Sequence, residues 1–383
     1  MQPTPSLLTE PDVNKQDIVR NKTEQVLTID PSIALTIENQ LSGDTGKLTV
    51  KINENNQITI ESSPISNSSI AEASIQDVRM QINQSFDAGD VETAVVKFEE
   101  LVNLEYINYL GKPASTNQMT VTEIQSQLKR IQGETGKKTA VIYVYSRPEK
   151  LELVVVLENT VIHKNVSEAI PEVLFSQTNE FVSEITSPRK RNTTSYLQSA
   201  QQLHQWMIAP IEETLKENNI DILMLSLDTG LKSLPLAALH DGKQFLIEKY
   251  GLSMIPSFSS LDTRYRSISQ EKILAGGASV FKEQGALPSV PAEIKTITEQ
   301  RTEGEYLLNE QFTLENLKQQ YQAQPFPIIH LATHADFRPG SPHNSFIQLW
   351  DTKLTLNQMS EMGWKQPTAD LLTLSACRNC HRG

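Results

Sequence analysis

The chain has 383 residues, with 34 Lys and Arg against 46 Asp and Glu, a formal net charge of −12 and 2 cysteines. This length suffices for about two or three domains, and so few cysteines exclude a small scaffold held by disulfides. The negative charge gives no general electrostatic reason to bind nucleic acid or an anionic membrane. Residues 1–20 lack a basic segment followed by an apolar one, and no run of 18 apolar residues occurs. We therefore expect a cytoplasmic protein that is neither secreted nor inserted in a membrane.

Residues 1–75 contain no Phe, Tyr or Trp and are rich in Ser, Thr, Asn and Gln, so they cannot form much of a core. Apolar and polar residues alternate at 33–37, 48–52 and 57–60, around turn-forming residues, which is typical of short strands. About three short strands are barely stable alone. We predict a weak β-ribbon or a disordered segment over residues 1–75.

A helical region is predicted to follow, over residues 76–137. Apolar residues recur at three- and four-residue spacing on both sides of Gly89, which predicts a helical hairpin over 76–110. The run Ala88-Gly89-Asp90-Val91, with Ala94 and Phe98, resembles half of a tetratricopeptide repeat, and no second copy follows. One such repeat cannot bury its own apolar face. We expect the hairpin to dock on the next domain and to offer a surface to a protein partner.

From residue 138 the pattern changes to apolar runs of strand length that alternate with segments of helical periodicity. Two runs, 140–145 and 151–157, flank Arg147-Pro148 and predict a buried strand pair. The later runs are apolar on both faces, as expected of strands covered by helices on both sides. They lie at 222–227, 273–277, 328–333 and 371–376. We predict an α/β domain over residues 138–383, a layered sheet of mostly parallel strands flanked by helices.

Two of the predicted strands lead into residues that carry chemistry. His334 follows the strand that ends at Thr333, and Cys377 follows the strand that ends at Ala376. Because the carboxyl ends of parallel strands meet at one edge of a sheet, we expect these two side chains to lie close together. A thiol with a pKa of about 8.5 is mostly protonated at neutral pH, and a nearby imidazole is the usual means of activating it. The pair predicts a cysteine nucleophile with a histidine as general acid and base.

At these residues the sequence resembles the CHAT family. This family comprises caspase-like domains of the clan that contains caspases and separases, often found beside tetratricopeptide repeats in bacteria. Five blocks carry the resemblance, in the family's order, over residues 138–378. The blocks are 228–242 with its continuation to 257, Leu274-Ala275-Gly276-Gly277-Ala278, Leu287-Pro288 to Ala292-Glu293, His330-Leu331-Ala332-Thr333-His334 and Leu374-Ser375-Ala376-Cys377-Arg378.

The resemblance implies a caspase-like fold and a cysteine endopeptidase that cleaves a protein or peptide substrate, with no cofactor and no metal. His334 matches the family's general acid and base, and Cys377 matches its nucleophile. The backbone amides of Ala335 and Cys377 are the candidate donors to the oxyanion that forms during attack. Relatives continue after the cysteine block with a further helix and strands, whereas this sequence stops at Gly383. We therefore expect a truncated sheet, incomplete at its C-terminal side, and a weakened activity.

Asp228 is the candidate substrate-binding residue. It follows the predicted strand at 222–227 and is expected at the same sheet edge as His334, where its carboxylate can bind a basic substrate side chain, as in basic-specific members of the clan. The alternative is a turn into Thr229-Gly230 in which the carboxylate accepts backbone amides. His330 shares a strand face with His334 and is expected to be a core histidine.

Three alternatives remain open. The run Cys377-Arg378-Asn379-Cys380-His381 matches the attachment signature of c-type haem, although no export signal precedes it. Cys377, Cys380 and His381, with His334, can also form a tetrahedral zinc site, although only one ligand pair is evident. A functional hypothesis of another class is a catalytically silent interaction module, in which the helical hairpin and the sheet edge bind a partner protein.

Overall fold

A computed structural model describes most of the chain from residue 67 onward and three short strands before it. The described residues are 17–18, 46–52, 58–64, 67–190, 192–300, 304–338, 340–359, 362 and 369–376, with side chains from residue 73 onward. The chain divides into two compact units, Met1–Gln81 and Ile82–Gly383. Within the described ranges, none of the helices combines the length and the apolar character needed to cross a bilayer.

The three strands of the first unit form an antiparallel sheet in the order β1-β2-β3. They are β1 (Asp17–Ile18), β2 (Gly46–Ile52) and β3 (Ile58–Pro64). β2 and β3 pair along their whole length, from Gly46 opposite Pro64 to Ile52 opposite Ile58. Two of the three predicted strands fall on β2 and β3, and the third, at 33–37, lies outside the described residues.

Three helices follow, α1 (Asn67–Asp87), α2 (Val91–Leu110) and α3 (Val121–Thr135). Local sequence determines where they begin and end. The carboxylate of Asp90 accepts a hydrogen bond from the Thr93 amide and caps α2, which ends at Gly111 in the left-handed conformation. Thr120 and Glu123 form a capping box at the start of α3.

A five-stranded mixed sheet, in the order β6-β5-β4-β7-β8, comes next. Its strands are β4 (Thr139–Arg147), β5 (Lys150–Val156), β6 (Val161–Val166), β7 (Ile222–Leu227) and β8 (Gly251–Ile255). Its helices are α4 (Pro171–Thr186), α5 (Tyr196–Met207), α6 (Ala209–Glu217) and α7 (Leu246–Lys249). β4 pairs antiparallel with β5, which is the predicted strand pair, and parallel with β7.

Alternate residues of β4 point to opposite faces of this sheet, and helices pack on both faces. Ile142 and Val144 join a core that includes Phe181 of α4 and Leu203 of α5. On the other face, the ring of Phe98 in α2 makes edge contacts with Tyr143 and Tyr145 at centroid distances of 5.7 and 5.8 Å. The near-continuous apolar sequence of β4 follows from this burial on both sides.

Glu99 of α2 is a fully buried carboxylate that receives three hydrogen bonds. Its Oε1 accepts from the Tyr143 hydroxyl at 2.7 Å and from the Phe258 amide at 2.8 Å, and its Oε2 accepts from the Ser259 amide at 2.8 Å. Burial and the adjacent carboxylate raise the pKa of Tyr143 well above its ordinary value. The short 3₁₀ helix Phe258–Ser260 lies in the connection to the next sheet, so α2 is fixed to that connection.

The remaining strands form a four-stranded parallel sheet, β10-β9-β11-β15, and a small antiparallel sheet, β12-β13-β14. They are β9 (Ile273–Gly277), β10 (Gly304–Leu308), β11 (Ile328–Ala332), β12 (Ala335–Asp336), β13 (Phe346–Gln348), β14 (Lys353–Thr355) and β15 (Leu371–Ser375). The helices among them are α8 (Val290–Glu299), α9 (Leu314–Ala323) and α10 (Leu356–Met359).

Two glycines allow helices and rings to approach β9 closely. A Cβ atom at Gly276 would overlap the ring of Phe312, and one at Gly277 would lie 2.6 Å from Val290 of α8 and 2.8 Å from the Ala332 carbonyl oxygen. Neither glycine position has room for a side chain. The pair Gly276-Gly277 therefore fixes the spacing of β9, β11 and the start of α8.

The predicted α/β class, with mostly parallel strands flanked by helices, is confirmed. The parallel strands are divided between two sheets, however, and the expectation that Asp228 and His334 lie at one sheet edge is wrong. Asp228 follows β7 in the five-stranded sheet, whereas His334 follows β11 in the four-stranded sheet. Apolar runs show that strands are buried, but they do not show which strands pair.

Candidate active site

A cavity of about 1070 Å³ lies at the carboxyl ends of β11 and β15. These two strands are parallel neighbours, with Ala332 opposite Ser375, and the Thr333 amide donates to the Ser375 carbonyl oxygen at 3.1 Å. Residues that follow both strands line the cavity, His334 from β11 and Ala376 from β15. The loop before α8 and the β13–β14 hairpin supply the other walls. The sheet thus brings the ends of the two predicted strands together.

The imidazole of His334 is held from two sides. Its Nε2 lies 2.7 Å from the carbonyl oxygen of Gly285, and the ring of Phe281 meets it edge-on at 4.7 Å. A carbonyl oxygen only accepts hydrogen bonds, so Nε2 carries the proton in this contact. In the neutral ring, Nδ1 then carries the lone pair. His334 is 9% exposed, so it is oriented by the protein and still reaches the cavity.

The residues after His334 alternate between the cavity and the core. His334 and Asp336 line the cavity, whereas Ala335, between them, joins the core beside Leu331 and Ile347. The non-glycine residues with positive φ in the described part of the chain are Asn219 and Asn309, so Ala335 has a conformation that alanine adopts readily. The role of the Ala335 amide at an oxyanion stays a prediction.

Asp336 forms an ion pair inside the cavity. Its side chain is 7% exposed, and its Oδ2 accepts from Arg338 Nε at 2.7 Å and lies 2.6 Å from a terminal guanidinium nitrogen. The Arg338 side chain is 62% exposed. The pair therefore joins a buried carboxylate to a guanidinium that faces water.

A second pair ties α8 to β11. His330 is buried, and its Nε2 lies 2.9 Å from Oε1 of Glu293, which belongs to the first turn of α8 and lines the cavity. Lys353 of β14 also lines the cavity, with its ammonium 4.7 Å from the ring centroid of Phe346. The walls thus carry several charged groups whose positions are set by neighbours.

Asp228 is nearly fully buried in the other sheet. Its Oδ2 accepts from the Ser146 amide at 3.1 Å, and its Oδ1 accepts from the Thr229 amide at 2.7 Å. The Thr229 amide lies in the turn that follows β7, whereas the Ser146 amide belongs to the neighbouring strand β4. Asp228 is not among the residues that line the cavity beside His334, and its role in substrate binding stays a prediction.

Cys377, Cys380 and His381 lie outside the described residues. The nucleophile, the oxyanion contact of Cys377 and the haem and zinc alternatives therefore stay predictions. Sequence reasoning missed Gly285, which acts through its backbone carbonyl and has no side-chain signature. It also missed Asp336, which lies two positions after His334 and lines the same cavity.

The comparisons with known proteins place the domain in a family. No curated protein matches the chain in a sequence search. The family model of the CHAT domain matches residues 197–382, from α5 through the whole four-stranded sheet and His334. CHAT domains are a caspase-like, protease-related family, as the resemblance implied. Residues 197–382 therefore constitute a CHAT domain.

Proposed function

We propose that the protein is a cysteine endopeptidase in which Cys377 is the nucleophile and His334 the general acid and base. The observation that carries this proposal is the cavity where β11 and β15 end side by side, lined by His334 and by Ala376, the residue directly before Cys377. Ala332 pairs with Ser375, and the same offset along the chain separates positions 334 and 377. This relation supports a contact between the imidazole and the thiol.

The orientation of His334 suits this chemistry. Because Nε2 donates to the Gly285 carbonyl, Nδ1 is available to take the thiol proton. The thiolate then attacks the carbonyl carbon of the scissile bond, and the protonated imidazole gives its proton to the leaving amine. Water hydrolyses the resulting thioester, with His334 as base, and restores the free thiol.

The size of the cavity supports a peptide substrate. Its volume of about 1070 Å³ slightly exceeds the roughly 300–1,000 Å³ typical of small-molecule pockets. The polar and charged walls offer partners to the backbone and side chains of an extended segment. We therefore favour a protein or peptide segment as substrate.

Thiol labelling of the full-length chain tests the assignment of the nucleophile. At pH 7 we expect iodoacetamide to alkylate Cys377 faster than Cys380, with both sites resolved by peptide mass spectrometry. His334→Gln should slow the alkylation of Cys377 and leave that of Cys380 unchanged. Equal rates for the two cysteines in the native protein would contradict the proposal. A zinc site would instead protect both thiols until EDTA is added.

Cleavage of a peptide library tests the activity itself. Cys377→Ala should abolish cleavage, and Cys380→Ala, the matched control, should leave it unchanged. Cleavage that survives in Cys377→Ala would exclude Cys377 as nucleophile.

The second candidate, an interaction module without catalysis, is favoured by one observation. Ile107, Tyr109 and Leu110, near the end of α2, are 36–43% exposed and form an apolar end to the helical hairpin. If no peptide is cleaved, and a protein partner is captured equally by the wild type and Cys377→Ala, this candidate replaces the first. Substitution of the three residues by Ser should then abolish the capture.

A further inference from the structure

We propose that Asp336 binds a basic side chain of the substrate, and that Arg338 occupies this carboxylate in the free protein. The proposal deepens the endopeptidase function and rests on it for the fate of the bound peptide. The binding step itself needs no cleavage.

The geometry places Asp336 in the same cavity as His334. The two residues are separated by one position in extended chain, and Ala335 between them packs into the core. A side chain bound at Asp336 therefore enters the cavity whose other wall carries the imidazole. Asp228, the acidic group predicted from the sequence, follows β7 in the other sheet.

The side chain of Arg338 can move away from Asp336 while its main chain stays in place. The Arg338 amide donates to Ser345 Oγ at 3.0 Å, and the same hydroxyl donates to the Arg338 carbonyl oxygen at 3.2 Å. Ser345 is itself buried, so the main chain of Arg338 is anchored. The guanidinium, in contrast, is mostly exposed, and rotation of the side chain alone carries it into water. Pairs with one exposed partner are weak enough to exchange.

The negative charge of Asp336 favours a basic ligand over an acidic one. A carboxylate that is 7% exposed is stabilised by a nearby cation, and Arg338 supplies one in the free protein. A substrate Arg or Lys replaces Arg338 one for one and leaves the carboxylate paired. An acidic side chain that approached Asp336 would instead meet its carboxylate as a like charge. Glu293, tied to His330, adds a further carboxylate to the same cavity.

Binding of short peptides to full-length Cys377→Ala tests the proposal independently of turnover. The probes are acetylated alanine-rich peptides that differ at one central position, which is Arg, Lys, citrulline or Glu, and affinity is measured by calorimetry. We expect the Arg and Lys peptides to bind at least about tenfold more tightly than the citrulline and Glu peptides, as for a charge pair in a partly desolvated site. Equal affinities for the Arg and citrulline peptides, or no binding of the Arg peptide, would overturn the proposal.

Two further substitutions assign the contact. Asp336→Asn should remove the preference for Arg over citrulline, while Asp351→Asn, an exposed aspartate outside the cavity, should keep it. Arg338→Ala removes the competing cation and should tighten binding of the Arg peptide about two- to fivefold. The Arg338 side chain is mostly exposed, so Arg338→Ala provides a second measurement if Asp336→Asn fails to fold. Weaker binding of the Arg peptide by Arg338→Ala would overturn it.

The same peptides distinguish a failure of this inference from a failure of the proposed function. If the wild type binds Arg peptides through Asp336 but cleaves none, the inference stands and the endopeptidase function fails. If the wild type cleaves peptides through Cys377 with no preference for a basic residue at any position, the function stands and the inference fails. A preference for Glu peptides that Arg338→Ala abolishes would assign the recognition to Arg338 instead and overturn the inference.

Discussion

His334 Nε2 and the carbonyl oxygen of Gly285 lie 2.7 Å apart, although 49 residues separate them along the chain. The contact fixes the tautomer, because a carbonyl oxygen cannot donate. We expect nitrogen NMR of the ¹⁵N-labelled protein at pH 8 to show His334 with its proton on Nε2. His334→Gln identifies the resonance by its disappearance. A His334 ring protonated on Nδ1 would contradict the proposed path of the thiol proton.

Gly277→Ala should destabilise the four-stranded sheet. The new Cβ would lie 2.6 Å from Val290 Cγ1 and 2.8 Å from the Ala332 carbonyl oxygen, so either α8 or β11 must shift. We expect the free energy of unfolding to fall by about 1–3 kcal/mol in urea titrations. Gly133→Ala, in α3 with no atom within 4 Å of the new Cβ, is the matched control and should stabilise by up to about 1 kcal/mol. Equal effects of the two substitutions would refute the argument.

Glu99→Gln should weaken the attachment of α2. The carboxylate accepts from the Tyr143 hydroxyl and from the Phe258 and Ser259 amides, and an amide side chain offers one oxygen and turns a donor toward the remaining hydrogen atoms. We expect a loss of about 3 kcal/mol, since a buried charged acceptor is replaced and a donor is left unpaired. Urea titration measures the loss, and Glu92→Gln, at an exposed position of the same helix, is the control. A change below about 0.5 kcal/mol would show that the network contributes little.

His204 should make stability depend on pH. The side chain is 4% exposed, and its Nε2 has no hydrogen-bond partner in the described part of the chain. Burial, assisted by the charge of Lys249, lowers the pKa of His204 below 6.5, against the opposing effect of Glu212 and Asp241. The unfolded chain therefore binds the proton more readily than the folded one.

It follows that the free energy of unfolding falls as the pH drops below 6.5, by at most about 1.4 kcal/mol per pH unit for this group. His204→Gln should remove this part of the slope between pH 6.5 and 5. Because the chain has 7 histidines, the measurement compares urea titrations of the wild type and the variant over that range. Identical slopes would show that His204 does not titrate differently on folding.

Much of the fold could be predicted because the central strands of the two main sheets are buried on both faces. β4, β7, β9 and β11 appear in the sequence as nearly continuous apolar runs. β6 does not, because residues such as Lys164 and Asn165 are exposed. Strands of three residues, such as β13 and β14, owe their conformation to the pairing between them, which a local pattern does not encode.

The site was predictable to the extent that it depends on strand ends. His334 follows an apolar run, and its strand is indeed the neighbour of the strand that leads to Cys377. The Gly285 carbonyl could not be predicted, because any residue supplies a carbonyl oxygen and only the path of the loop places it. Asp336 was accessible to sequence reasoning through its two-residue spacing from His334, but its partnership with Arg338 depends on a turn held by Ser345.

Glu99 connects α2 to a strand and to an inter-sheet connection of the second unit, through its bonds to Tyr143, Phe258 and Ser259. Shortening the protein from its N-terminal side beyond this residue would strand the amides of Phe258 and Ser259 and the phenol of Tyr143 in apolar surroundings, with no acceptor to replace the lost oxygens. The N-terminal boundary of a minimal folded fragment therefore lies upstream of α2. Removal of α2 would disrupt the connection between the five-stranded and the four-stranded sheets, which contains Phe258 and Ser259.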